Sequence, residues 1–427
     1  RKAIEIKPDY AMAHMNLGNI LKDFGNLKEA EISYRKALKL KPDYAMAHSN
    51  LGTTLRELGK LQDAELFTRK AIEIKPDYAD AYLNLGNILR DIGNLEEAEI
   101  SLRKAIKIKP DFASAYNNLG AILRELGKQE EAEISYTKAI ELKPGFKGAL
   151  RNRWQLFFEL GKFDLALKDS DSSNTKESRS RSLETLYALG NIEEIYKRIE
   201  ATAELDSKNI DVAAFSSFIS ENQKKDTAHN FCNNPLSFLY FSNLNYHIKD
   251  YHQFIKGIMK ELNDVPTIWQ PRTTINGFQT PTTLNLFSKS SQYISQLKSI
   301  ILNEIDSYYS KFKKEACLFI QQWPSNKNVI GWYNILKKQG YQSAHIHPSG
   351  WLSGVIYLKV VPPLNNNEGA IEFSLNGVNY FNPNSPELIH QPKVGDIVFF
   401  PSSLYHRTIP FSTDTDRIVV AFDLMPN

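Results

Sequence analysis

The chain has 427 residues, 42% hydrophobic, 24% charged and 11% aromatic, which is too long for one compact core and points to two or three domains. Lysine plus arginine (52) nearly balance aspartate plus glutamate (49), so nothing indicates nucleic-acid binding. Two cysteines, Cys232 and Cys317, cannot build a disulfide framework, and no apolar run reaches membrane-spanning length, so a cytoplasmic, reducing location is expected. Because the chain opens on the tail of a repeated unit, its native N-terminus is expected to be missing, and no targeting signal can be judged.

Over residues 1–165 the motif Lys-Pro-Asp/Gly-Tyr/Phe recurs with Pro8, Pro42, Pro76, Pro110 and Pro144 spaced 34 residues apart. Leu17-Gly18, Leu51-Gly52, Leu85-Gly86 and Leu119-Gly120 keep step, as do Ala30, Ala64, Ala98 and Ala132. A 34-residue period with two amphipathic helices per unit is the tetratricopeptide signature, giving complete units at 11–44, 45–78, 79–112 and 113–146, with partial flanking repeats. Gly18 and its equivalents are small because the two helices cross closely there. Asp43 is placed to cap the following helix. On the first helices, Asn16, Asn50, Asn84 and Asn118 form one column, which a solenoid turns toward its concave surface. Each amide both donates and accepts, so this ladder suits the backbone of an extended peptide or protein partner. The column resembles that in the repeat domain of O-GlcNAc transferase. The alternative is a copied, solvated polar face with no ligand.

Residues 166–227 read as a polar linker, centred on Asp169–Ser182, followed by a degenerate helical repeat from Leu183. From 228 to 427 the pattern changes to aromatics, prolines and short β-branched runs. One amphipathic helix is predicted near Lys289–Phe312. Strands are predicted at Cys317–Trp323, Val329–Leu336, Leu352–Val361, Ala370–Leu375, Asp396–Phe400 and Arg417–Leu424. The fold class is therefore multidomain α + β, an all-α solenoid followed by a β-sandwich or barrel with flanking helices.

Three of the nine histidines form a pattern. His345 and His347 lie at i and i+2 on an extended segment and so point the same way. His406 follows 61 residues later, after Gly395-Asp396 and Phe399-Phe400-Pro401, and Arg417 opens the last strand. A third imidazole from an opposed strand would complete one face of a metal ion and leave other positions open. A downstream cation would bind the far carboxylate of a chelated dicarboxylate. The remaining histidines, including His229, His247 and His390, are assigned surface or satisfied core roles, and Asp396 a turn.

With the run Gly340–Leu358, these motifs make residues 228–426 resemble the bacterial and phage 2-oxoglutarate/Fe(II) oxygenases related to prolyl 4-hydroxylase, with the double-stranded β-helix (jelly-roll) fold. The resemblance implies Fe(II), 2-oxoglutarate and O2 as cofactors, and hydroxylation coupled to decarboxylation of 2-oxoglutarate to succinate. It implies His345 and His406 as iron ligands and Arg417 as the partner of the co-substrate's C5 carboxylate. Tyr357 and Asn334 are implied as further co-substrate contacts, Tyr357 having a strand-core role as its alternative.

Two departures stand out. The family's usual motif is His-X-Asp or His-X-Glu, where this chain has His347. Either His347 ligates, which is the favoured expectation, or it stands outside the ligand set. Three neutral ligands leave the site one charge more positive than two histidines and a carboxylate. Val419 stands where relatives often carry a serine. The alternatives are a cupin-type metalloprotein without 2-oxoglutarate and an inactive repeat scaffold for protein interaction. A cupin would usually place a glutamate soon after His-X-His, and none occurs between His347 and Glu368.

Overall fold

The structure is a computed structural model that describes residues 2–269, 274–281, 284–289, 291–362 and 367–426. It divides into two compact units, residues 1–174 and 175–427. Among the described residues no helix is long and apolar enough to cross a membrane.

The first unit is a run of antiparallel helix pairs. After α1 (Lys2–Ile6) come α2 (Ala11–Asp23) with α3 (Leu27–Leu40), α4 (Ala45–Glu57) with α5 (Leu61–Ile74), and α6 (Ala79–Ile92) with α7 (Leu95–Ile108). They are followed by α8 (Ala113–Glu125) with α9 (Gln129–Leu142), and α10 (Lys147–Glu159) with α11 (Phe163–Ser173). The repeated alanines Ala30, Ala64, Ala98 and Ala132 are fully buried where the helices meet. A Cβ at Gly18 would lie 2.6 Å from the Tyr34 ring, and one at Gly120 would lie 2.7 Å from Tyr136, so only glycine permits that crossing.

Neighbouring repeats are also linked by polar ladders. Lys22 pairs with Glu57, Arg56 with Asp91 at 2.6 Å and Arg90 with Glu125, each one repeat on. The expected aspartate caps are not formed. Tyr10, Tyr44, Tyr78 and Phe112 occupy the N-cap positions without side-chain caps, because each helix starts one residue later than the sequence suggested. Each of these rings instead receives the ammonium of the lysine three residues earlier, as with Lys109 at 4.7 Å from the Phe112 centroid.

The polar stretch 169–182 differs from the expected linker. Helix α11 continues to Ser173, and α12 (Lys176–Ala188) begins directly after a reciprocal Thr175–Ser178 cap. Two of its charged side chains, Asp169 and Arg179, are tied into internal ion pairs. Arg153 donates to both oxygens of the buried Asp169 at 2.8 and 2.7 Å, and Arg179 forks onto the buried Asp206. Paired ions fill the place of apolar side chains, which hydropathy alone cannot reveal.

The second unit continues with α13 (Ile192–Thr202) and α14 (Ile210–Gln223), then a β domain with strands β1 (Tyr240–Asn243), β2 (Ile268–Trp269), β3 (Thr274–Gln279), β4 (Val329–Gln342) and β5 (Leu352–Lys359). Strands β6 (Ile371–Ser374), β7 (Glu387–His390), β8 (Asp396–Pro401), β9 (Tyr405–Thr408) and β10 (Arg417–Leu424) complete it. Among the described residues seven strands form one antiparallel sheet in the order β1-β8-β5-β10-β4-β3-β2, and three form another, β7-β6-β9. Flanking helices are α15 (Tyr251–Leu262), α16 (Gln292–Phe312) and the short α17 (Leu318–Gln321). Glu261 of α15 caps α16 by accepting the Tyr293 and Ile294 amides. Residues 317–323, expected as a strand, contain α17. Their apolar content serves core packing by Phe319 and Ile320 and does not require an extended backbone.

Candidate functional site

β10 lies between β4 and β5, so its alternate residues Arg417, Val419, Ala421 and Asp423 share one face. Val419 pairs with Asn334 on one side and Tyr357 on the other, which puts these three positions in one row across the sheet. A cavity of about 420 Å³ opens over this face. The large sheet lines it with Trp332, Asn334, Arg417, Val419 and Asp423, and the small sheet with Ile371, His406 and Thr408.

The segment between β4 and β5 delivers the other two histidines. His345 and His406 exchange backbone hydrogen bonds at 3.1 Å in both directions, and the His347 amide donates to Ser402 at 3.0 Å. This extended pairing holds the ring centroids of His345 and His406 4.3 Å apart, with His347 5.3 and 5.0 Å from them. One potential ligand atom from each lies within 4.8 Å of the others.

The protonation pattern is fixed from outside. Nδ1 of His345 contacts the Ser343 carbonyl at 2.7 Å, Nδ1 of His406 contacts the Leu404 carbonyl at 3.2 Å, and Nδ1 of His347 contacts Asp423 at 2.6 Å. An oxygen acceptor at each Nδ1 selects the Nδ1–H tautomer and leaves Nε2 as the lone-pair nitrogen. Burial, followed by the neighbouring His347, pulls the His345 pKa down to about 4. Burial and both other imidazoles pull His406 well below the usual histidine range. These two rings are therefore neutral at neutral pH, the state a metal ion requires.

At the other end of the face, Arg417 is 2% exposed. Its Nε donates to the Gly369 carbonyl at 3.2 Å, its guanidinium stands 5.0 Å from the Tyr357 centroid, and no carboxylate pairs with it among the described residues. Burial draws its pKa below the ordinary arginine value. Asn334 Oδ1 is buried without a hydrogen-bond partner, and the buried Tyr357 hydroxyl has Arg417 beside it. Burial pushes the Tyr357 phenol up to about 12, with Arg417 opposing that rise. An arginine buried without a carboxylate partner among the described residues suits a carboxylate ligand, and the neutral rings of His345 and His406 suit a divalent metal.

The three expected ligands and the three expected co-substrate residues thus lie together, although Tyr357 touches Arg417 rather than lining the cavity. Sequence reading missed Asp423, Ser353 and Ser402, which surround His347. The period-two alternation from Arg417 was the signal that could have placed Asp423 in the site.

The asparagine column lies on α2, α4, α6 and α8, with Asn16 exposed and the others partly exposed. Part of its hydrogen-bonding capacity serves the solenoid itself. Asn50 donates to Asn19 at 2.9 Å, Asn84 to Ser49 at 3.0 Å, and Asn118 to Asn87 at 2.8 Å. Of the other histidines, His14, His48, His229, His247 and His390 have partners of their own, such as the Asp206 carbonyl for His229 and Glu304 for His247.

Residues 331–423 match the family model described as "Putative 2OG-Fe(II) oxygenase". Residues 9–77, 67–100, 86–127 and 113–146 match models of the tetratricopeptide repeat. No curated protein sequence matches the chain. Among solved structures, MamA is 28% identical, covering 36% of this chain and 91% of its own, with a TM-score of 0.34. YrrB, described as a TPR protein with an unusual peptide-binding site, is 23% identical over 45% and 96%, TM-score 0.35. PilF of Pseudomonas aeruginosa is 20% identical over 48% and 96%, TM-score 0.41.

Proposed function

We propose that this chain, a tetratricopeptide-repeat protein carrying a 2-oxoglutarate/Fe(II) oxygenase domain, is a dioxygenase that hydroxylates a peptide or protein segment held by its repeats. The observation that carries the reading is one cavity lined by three clustered histidines and by a buried arginine that pairs with no carboxylate among the described residues. His345, His347 and His406 hold Fe(II) in this reading. Arg417 would pair with the C5 carboxylate of 2-oxoglutarate, with the side-chain N–H of Asn334 as a further donor to it and the Tyr357 ring supporting Arg417. When bound, Fe(II) and 2-oxoglutarate would let O2 act as the oxidant, one oxygen atom ending in succinate and the other in the hydroxylated carbon, with carbon dioxide released.

The protein's share is placement. Trp332, Leu284 and Ile346 give the cavity an apolar lining that excludes water around the target carbon. Asn16, Asn50, Asn84 and Asn118 offer amide groups to a peptide backbone, within what their links to neighbouring repeats leave available. A reducing, cytoplasmic location belongs to the same proposal, supported by two buried free cysteines.

Anaerobic titration with Fe(II) and 2-oxoglutarate tests the reading through the weak visible charge-transfer band of the chelate. A band that disappears in Arg417→Met supports it. Metal binding without a band would favour the cupin-type alternative, and no metal binding would leave an inactive scaffold.

A further inference from the structure

We propose that Asp423 is a positioning residue that returns to the metal, through His347, the negative charge the His-X-His motif omits. The proposal rests on the metal-site reading above and goes beyond it by assigning the charge balance to a residue outside the ligand set.

Three neutral imidazoles leave a divalent cation uncompensated by its protein ligands. Asp423 is the acidic residue on the cavity-facing side of β10, and it sits behind the ring whose identity departs from the usual carboxylate. Its Oδ1 accepts from His347 Nδ1 at 2.6 Å and from the Ser353 hydroxyl at 2.7 Å. The Ser402 hydroxyl lies 2.8 Å from Ser353, whose hydroxyl is also 2.9 Å from His347 Nδ1. Asp423 is 8% exposed and has no other cationic partner among the described residues. The loop leaves room for it because position 350 lacks a side chain. A Cβ at Gly350 would lie 3.0 Å from Asp423 Cγ and 2.6 Å from Ser402 Oγ.

A carboxylate held at Nδ1 makes the imidazole a stronger donor at Nε2 and places the compensating charge one ring away from the metal. The carboxylate is thus conserved in number but moved from the ligand set to its support. His347 is oriented by the same contact, because the Asp423 bond selects both its tautomer and its ring plane.

The test is titration of the full chain with Co(II), read by its visible d–d bands and by calorimetry. Four forms are compared: wild type, Asp423→Asn, His347→Asp and the double variant, with the melting of the metal-free forms as a control on folding. Wild type is expected to take up one equivalent, and Asp423→Asn to bind about 10- to 100-fold more weakly. In the His347→Asp background the carboxylate is back in the ligand set and faces Asp423, so Asp423→Asn is expected to leave affinity unchanged or raise it. That reversal of sign is not produced by a merely structural role. Ser353→Ala, a milder change, is expected to weaken Co(II) by a smaller factor with intact folding. Equal affinity of wild type and Asp423→Asn, or the same loss in both backgrounds, overturns the inference. Failure of wild type itself to bind Co(II) would overturn the metal-site reading beneath it.

Discussion

Replacing Arg417 by methionine should separate stability from function in opposite directions. The guanidinium is buried with a single carbonyl acceptor and a tyrosine ring, so its desolvation is only partly offset in the ligand-free protein. Methionine fills similar volume without that burden, and the ligand-free variant should melt at or above the wild-type temperature. Binding should move the other way. Leaving a buried carboxylate without its arginine costs about 3–5 kcal/mol, or roughly a hundred- to several-thousand-fold in 2-oxoglutarate affinity. At 2-oxoglutarate concentrations near 100 times its dissociation constant, the wild-type protein gains about 2.7 kcal/mol. For a unit of this size that is a rise of about 5–11 °C, absent in the variant. Calorimetry and thermal melting with Mn(II) in place of iron provide the assay. A variant that is strongly destabilised while its 2-oxoglutarate affinity is unchanged would refute the reasoning, because Arg417 would then be a structural cation.

Other expectations follow from the same geometry. His345 and His406 have depressed folded-state pKa values, so folding should be undiminished above about pH 6.5 and weaken as pH falls toward 4, where unfolded imidazoles take up protons first. Each such group contributes a slope of at most about 1.4 kcal/mol per pH unit, and a flat metal-free melting profile between pH 7 and 4.5 would contradict this. Gly120→Val drives a side chain into Tyr136 and should cost about 1–3 kcal/mol, seen as a lower melting temperature of the solenoid. Asn118→Ala removes the link to Asn87 and should cost about 1 kcal/mol. If the asparagine column also holds a peptide, the Asn50, Asn84 and Asn118 alanine variants should lose affinity for it beyond any change in melting.

The repeats were legible because a 34-residue period states its own fold. Each unit copies the same leucine, glycine and alanine positions, and local helix packing decides the rest. The clustering of the three histidines was legible for a related reason, since His345 and His347 alternate on one extended segment and His406 and Arg417 follow recognisable strand signals. Where helices begin was decided by local turn geometry, which set Tyr44 rather than Asp43 at the cap. The helical nature of 169–182 depended on Arg153 and Arg179 finding Asp169 and Asp206 over 16 and 27 residues, pairings that no local pattern encodes.

The largest contribution of tertiary structure is at the site itself. Placing β10 between β4 and β5 buries Arg417 without an anion and carries Asp423, 76 residues away in sequence, to 2.6 Å from His347. The sequence by itself determined which side chains could bind a metal. Strand order determined their charge environment, because electrostatic partners are set by distance through space and by burial, neither of which is a property of the linear chain.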